Sequence, residues 1–281
     1  MSQIETMYHI RYTRPEVTLL RESGIGVAEI AARTCYDSFG HSENAAIRNA
    51  AEVIDTDAIN AIEDSDLLHS LAWVHHHHSI IEHTTLSYLV RGTSRGVLQE
   101  HARHRVQSIS VRSTRYTMSS VINAFVAATV SGEGEEAFIA LVLPLQLFVV
   151  ADEGYQRLEI GGMYEKLRFQ YEQDPDDLLH TAVAKSSLPL LEDDTLSART
   201  LYDALEDGKK KRNVGDAFKH IVTDNWKVDM VITFNLRSLK NYFDLRDSGA
   251  AWFQIRWLAE EMKKATPAKY LKLIDKAYKE G

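Results

Sequence analysis

Residues 84–91 read Thr84-Thr85-Leu86-Ser87-Tyr88-Leu89-Val90-Arg91. Leu86, Tyr88 and Val90 alternate with smaller or polar residues, the period of a half-buried strand. Gly92 is expected to end the strand, and Ser94 then stands as N-cap of a helix running to about His104. A second strand is expected at 228–234 (VDMVITF), followed by Asn235 as N-cap of a helix from Leu236 to about Leu245. Helical spacing marks 27–37, 44–62, 67–74, 133–152, 161–173, 196–206, 250–264 and 268–279. Residues 108–116, rich in Ser and Arg without a period, are expected to be loop. Asp174-Pro175-Asp176-Asp177 is expected to be a break. Two strands far apart in a chain dominated by helices predict an α+β fold and not a regular βαβ alternation.

Composition supports a packed core. The chain has 281 residues, of which 44% are hydrophobic and 26% charged. The 14 Gly and 5 Pro exclude collagen-like and low-complexity classes. Lys plus Arg number 32 against 40 Asp plus Glu, and the net charge of −8 disfavours nucleic acid as a general partner. Cys35 is the single cysteine, so neither a disulfide within the chain nor a cysteine zinc site is available. Beside Ala31 and Ala32 on a helix, it is expected to be buried and unactivated. Met1 to Thr6 lack the basic and apolar regions of a secretory signal. The longest apolar run, 138–151, is interrupted by Pro144 and Gln146 and falls short of the roughly 20 residues of a membrane span. A soluble, cytoplasmic protein is expected.

Chemistry concentrates in 91–115, which holds Arg91, Arg95, Arg103, Arg105, Arg112 and Arg115 against one acid, Glu100. In an acidic chain this marks a local anion site, and the planar guanidinium suits phosphate. On a helix reaching His104, Arg95, Gln99 and Arg103 would share one side. Ser108, Ser110, Ser113 and Thr114 add hydroxyls. A solvated basic face would give the same composition. In the 236–245 helix, Leu236, Leu239, Phe243 and Leu245 can face a core while Arg237 and Asn241 share another face. His75 to His78, with Glu82 and His83, form no HExxH pattern, and no metal is expected. Lys209-Lys210-Lys211-Arg212 reads as a solvated helix end.

Arg103-His104-Arg105 followed by seven residues and Ser113 resembles the RHR-x7-S signature of the flavin-dependent thymidylate synthases. His77-His78-Ser79-Ile80-Ile81-Glu82-His83 is similar to that family's HxSxxEH segment, and Ser94-Arg95 to its SR pair. Ser113-Thr114-Arg115-Tyr116 resembles its SxRY ending. Asn235-Leu236-Arg237-Ser238-Leu239, with Asn241 and Leu245-Arg246, resembles its NxRSLxNFxxLR helix. Ala31-Ala32-Arg33-Thr34-Cys35-Tyr36 looks like its early helix. The resemblance spans about 25–37, 69–116 and 200–258. It implies a helix-rich α+β fold with a small, mostly antiparallel sheet, in one domain over 1–281 with a helical insertion around 120–195.

The resemblance also implies an activity: dUMP is converted to dTMP with methylenetetrahydrofolate as carbon donor and FAD, reduced by NADPH, as hydride source. The family works as homotetramers. Carried over by position, His77, Ser79, Arg103, His104, Arg105, Asn235, Arg237 and Asn241 are flavin contacts. Glu100, Arg103, Arg112, Ser113, Thr114, Arg115, Lys219 and Arg246 are substrate contacts. Ser113 and Arg246 carry catalysis, Arg246 by stabilising charge on the uracil ring. Glu100 stands where Gln is common, Val111 where a polar residue is usual, Thr223 for a common Pro, Ala250 for a His, and Trp252-Phe253-Gln254 for QWE. Those departures leave room for a related flavoenzyme that adds another group, such as hydroxymethyl. A non-catalytic nucleotide- or RNA-binding protein is the alternative from another class.

Overall fold

The computed structural model describes residues 10–173 and 219–279. The break expected at 174–177, the helix at 196–206 and the basic run at 209–212 lie outside the described residues. The chain divides into two compact units, one of 14–93, 97–111 and 229–281, the other of 1–13, 94–96 and 112–228.

The first unit is built on a sheet of β1 (Glu16–Glu22), β2 (Thr85–Ser94), β3 (Ser108–Val111) and β4 (Lys227–Asn235), in the order β1-β2-β4-β3. The β1–β2 and β3–β4 pairs are antiparallel. Leu86, Tyr88 and Val90 are fully buried, as their alternation predicts, and so are Met230, Ile232 and Phe234 in β4. Helix Leu236–Arg246 adds Leu236, Leu239, Tyr242 and Phe243 to the same core. Leu245, expected to face inward, is 54% exposed. At about 100° per residue it lies opposite Leu236, and Tyr242 takes the inward place.

Four other expectations are corrected here. Gly92 does not end β2. It adopts φ +74° and its amide donates to Asp229 Oδ1 at 2.8 Å, so the strand bends and continues to Ser94. The following helix spans Arg95–His101 and stops a turn short of His104, so the Arg95, Gln99, Arg103 face does not form. Residues 108–116 are not loop: they hold β3 and a helical turn at Thr114–Thr117. Pairing of Ile109 with Ile232 and Val111 with Met230 makes β3, a partner the local sequence does not contain. The expected helix at 44–62 is two short ones, Ala45–Asn49 and Thr56–Asn60, the second capped by the Asp55 carboxylate at 3.0 Å from the Ala58 amide.

Helix Gly26–Cys35 meets that second short helix at close range, for a Cβ on Gly26 would stand 2.2 Å from the Ile59 carbonyl oxygen. Cys35, the last residue of the helix, is exposed and not buried as expected. Towards the C-terminus, Phe253–Ala265 begins later than expected. Ala268–Ile274 ends early, because the Asp275 carboxylate accepts from the Ala277 amide and starts a separate turn.

The described part of the second unit is largely helical: Ser119–Ser131, Gly134–Val142 and Glu153–Gln173. The second of these, expected to run to 152, stops before Pro144, and the third starts earlier than expected. Phe125, Phe138 and Tyr164 bring them together, with ring centroids 5.5–6.1 Å apart. Among the described residues no helix is long and apolar enough to cross a membrane.

Candidate active site

The Leu236–Arg246 helix is the platform of the site. Asn235 Oδ1 accepts from the Ser238 amide at 2.8 Å, which starts the helix where β4 ends. With the apolar stripe turned into the core, Arg237, Lys240, Asn241 and Asp244 recur at helical spacing on the other side. They line a cleft of about 860 Å³. Its facing wall is the turn Arg103-His104-Arg105-Val106, and His78 and Glu82 also line it. Five cations border it: Arg103, Arg105, Arg237, Lys240 and Arg246. Arg237 pairs with Glu82 at 2.5 Å and Lys240 with Asp244 at 2.7 Å. The Arg237–Glu82 pair is solvent-facing and contributes little stability, whereas the Lys240 side chain is 13% exposed and only its Asp244 partner faces solvent.

Arg246 is held more fully. Its side chain is only 16% exposed. Nε donates to His104 Nε2 at 2.9 Å, one terminal nitrogen to Glu100 Oε2 at 3.1 Å, and the other to the Glu100 carbonyl at 3.3 Å. An acceptor Nε2 requires His104 to carry its proton on Nδ1. Burial, then the charges of Arg246 and Arg103, lower the His104 pKa against an opposing effect of Glu100. Tyr242 packs edge-on against His104 at 4.8 Å. Below them His101 makes edge contacts with Phe234 and Tyr242, and burial pushes its pKa down to about 4.

Of the residues named from sequence, Arg103, His104, Arg105, Arg237, Asn241 and Arg246 meet at this cleft. His77 and Ser79 do not line it. They border a second cavity of about 310 Å³ with Cys35, Leu67 and Leu71. The Asn235 side chain is engaged as a helix cap. Glu100 reaches the cleft through Arg246. Arg112, Ser113, Thr114, Arg115 and Lys219 belong to the other unit. There Ser113 precedes the turn Thr114–Thr117, its carbonyl accepts from the Thr117 hydroxyl at 3.1 Å, Thr114 is buried, and Lys219 is exposed at the start of the turn Lys219–Ile221. Val111 packs against the core from β3. Sequence reasoning did not single out His78, Glu82, Lys240 or Asp244 as site residues. Lys240 and Asp244 follow Arg237 at helical spacing, and that period was the available signal.

The sequence profile of the family described as "Thymidylate synthase complementing protein" matches residues 19–269. A flavin-dependent thymidylate synthase of Wolinella succinogenes is 26% identical over 254 residues, which cover 90% of this chain and 94% of that protein. One from Campylobacter jejuni is 27% identical, covering 91% of this chain and 93% of the other. The crystal structure of thymidylate synthase X from Helicobacter pylori with FAD and dUMP superposes with a TM-score of 0.58 at 22% identity, over 94% of this chain and 99% of that one. That likeness is of fold. The profile match runs from within β1 into the helix Ala268–Ile274 and takes in the other three strands of the sheet and both walls of the cleft. The chain belongs to the thymidylate synthase complementing protein family.

Proposed function

We propose that the protein is a flavin-dependent thymidylate synthase. It methylates C5 of dUMP to give dTMP, taking the carbon from methylenetetrahydrofolate, with FAD reduced by NADPH. The observation that carries this reading is the cleft itself, where six residues named from the family pattern converge. Its donor set fits a dinucleotide, for it offers four guanidiniums and a lysine with a volume in the range of small-molecule sites. Bound FAD would supply the hydride. This chain's residues would bind and orient. Arg103, Arg105 and Arg237 neutralise phosphate, and Glu82 releases Arg237 for that purpose. Asn241 offers an amide to the same ligand, with Asn235, His77 and Ser79 assigned to it by position. Arg246 presents donors to the uracil ring and stabilises negative charge that develops there. Arg112, Ser113, Thr114, Arg115 and Lys219 are assigned to the dUMP phosphate and sugar. A homotetramer and a cytoplasmic location go with this reading.

One reaction tests it. The protein is incubated with FAD, NADPH, methylenetetrahydrofolate and dUMP, and the nucleotide is weighed by mass spectrometry. The expected product is dUMP plus one methyl group. A hydroxymethyl product would reassign the reaction, and unchanged dUMP in the presence of bound flavin would overturn the substrate.

A further inference from the structure

We propose that Glu100 is a positioning residue, which works through Arg246 and not by touching the nucleotide. The proposal rests on the reading of the cleft given above. Arg246 is the last residue of its helix, on a long and flexible stem, and it is mostly buried. A guanidinium in that setting has many orientations unless its donors are engaged. Three of its five N–H groups are engaged: by His104 Nε2, by the Glu100 carboxylate and by the Glu100 carbonyl. One donor is left on each terminal nitrogen. Glu100 thus supplies two of the three holds, one from the side chain and one from the main chain, at the last turn of the Arg95–His101 helix. The third hold is fixed in turn, since Tyr242 packs on the His104 ring and Tyr242 is fully buried. The two donors left over match a ligand edge with two acceptors, such as the O4 and ionised N3 of a pyrimidine. Orientation set before binding is not lost on binding. The side chain of Glu100 also lies 3.5 Å from Arg103, but Arg103 is 72% exposed and that contact constrains little.

The test is a double-mutant cycle on dUMP affinity in the flavin-loaded protein. Glu100→Ala should weaken dUMP binding about tenfold, the loss of the one charge-assisted hydrogen bond its carboxylate makes to Arg246, while the main-chain hold stays. In an Arg246→Ala background it should weaken binding no further. Glu100→Gln keeps an acceptor for the guanidinium and should restore most of the affinity. Losses that multiply in the double variant would mean that Glu100 meets the nucleotide itself, and a Gln variant as weak as the Ala variant would mean that the hydrogen bond is not what acts. Either result overturns the proposal. A second measurement does not depend on the substrate. In crystal structures of the unmodified protein and Glu100→Ala, Arg246 should leave His104 only in the variant. An unmoved Arg246 would overturn the positioning role even if dUMP proves to be the wrong ligand, and failure of the unmodified protein to bind dUMP would count against the function alone.

Discussion

At the scale of single residues, Arg246 and Cys35 make opposite predictions. Arg246 is a mostly buried cation committed to three acceptors and to the cleft. Arg246→Ala should lower kcat at least a hundredfold, the scale on which a single charge-stabilising donor acts. Urea unfolding should still show a cooperative transition, because the residue stands at the helix end and is not part of the apolar core. Cys35 is exposed at the end of its helix and borders the second cavity. With the redox chemistry assigned to flavin, Cys35→Ala should keep kcat within about twofold, far inside the loss that removing a nucleophile would cause. Turnover that vanished in a folded Cys35→Ala protein would require a thiol step. Arg246, His104 and Arg237 were legible because their motif is short and contiguous. The hold of Glu100 on Arg246 was not, since the two are brought together by separate helices.

At the scale of elements, the join between β4 and its helix is the clearest case. The Asn235 side chain satisfies the Ser238 amide, which would otherwise have no partner in the first turn. Asn235→Ala should cost about 1 kcal/mol of stability in flavin-free protein, read as a lower urea midpoint, and Asn235→Asp should recover most of it. The Arg95–His101 helix carries a second prediction. His101 has a folded pKa of about 4 against the ordinary 6.5, from burial among Phe234 and Tyr242 and near His104 and Arg246. Above pH 6.5 the ring is neutral in both states and its contribution to stability is complete. As the pH falls from 6.5 towards 4, the unfolded chain takes up a proton that the folded one refuses, so stability falls, by on the order of 3 kcal/mol in all. His101→Phe should flatten that part of the profile in denaturation measurements between pH 7 and 4. Strand β3 is not legible in its own residues, because it is created by pairing with β4, more than 100 residues further along the chain.

For the whole molecule, the proposed homotetramer predicts a light-scattering mass of four times the 31.8 kDa chain, and a monomer mass at working concentration would remove it. The mass is a property of surfaces, whereas the family is a property of short ordered motifs. By itself, the sequence determined the α+β class, the alternating strands β2 and β4, the Asn235 cap and six of the residues at the cleft, because each is written in local spacing or in a contiguous motif. Only the tertiary structure decided that Gly92 bends a strand without ending it, that 108–111 pair with β4, that His77 and Ser79 border a different cavity from Arg237, and that Glu100 holds Arg246. Those outcomes depend on partners far away in the chain. A hydrogen-bond donor or an apolar face is fixed by its residue type, but what it meets is set by how the distant segments pack.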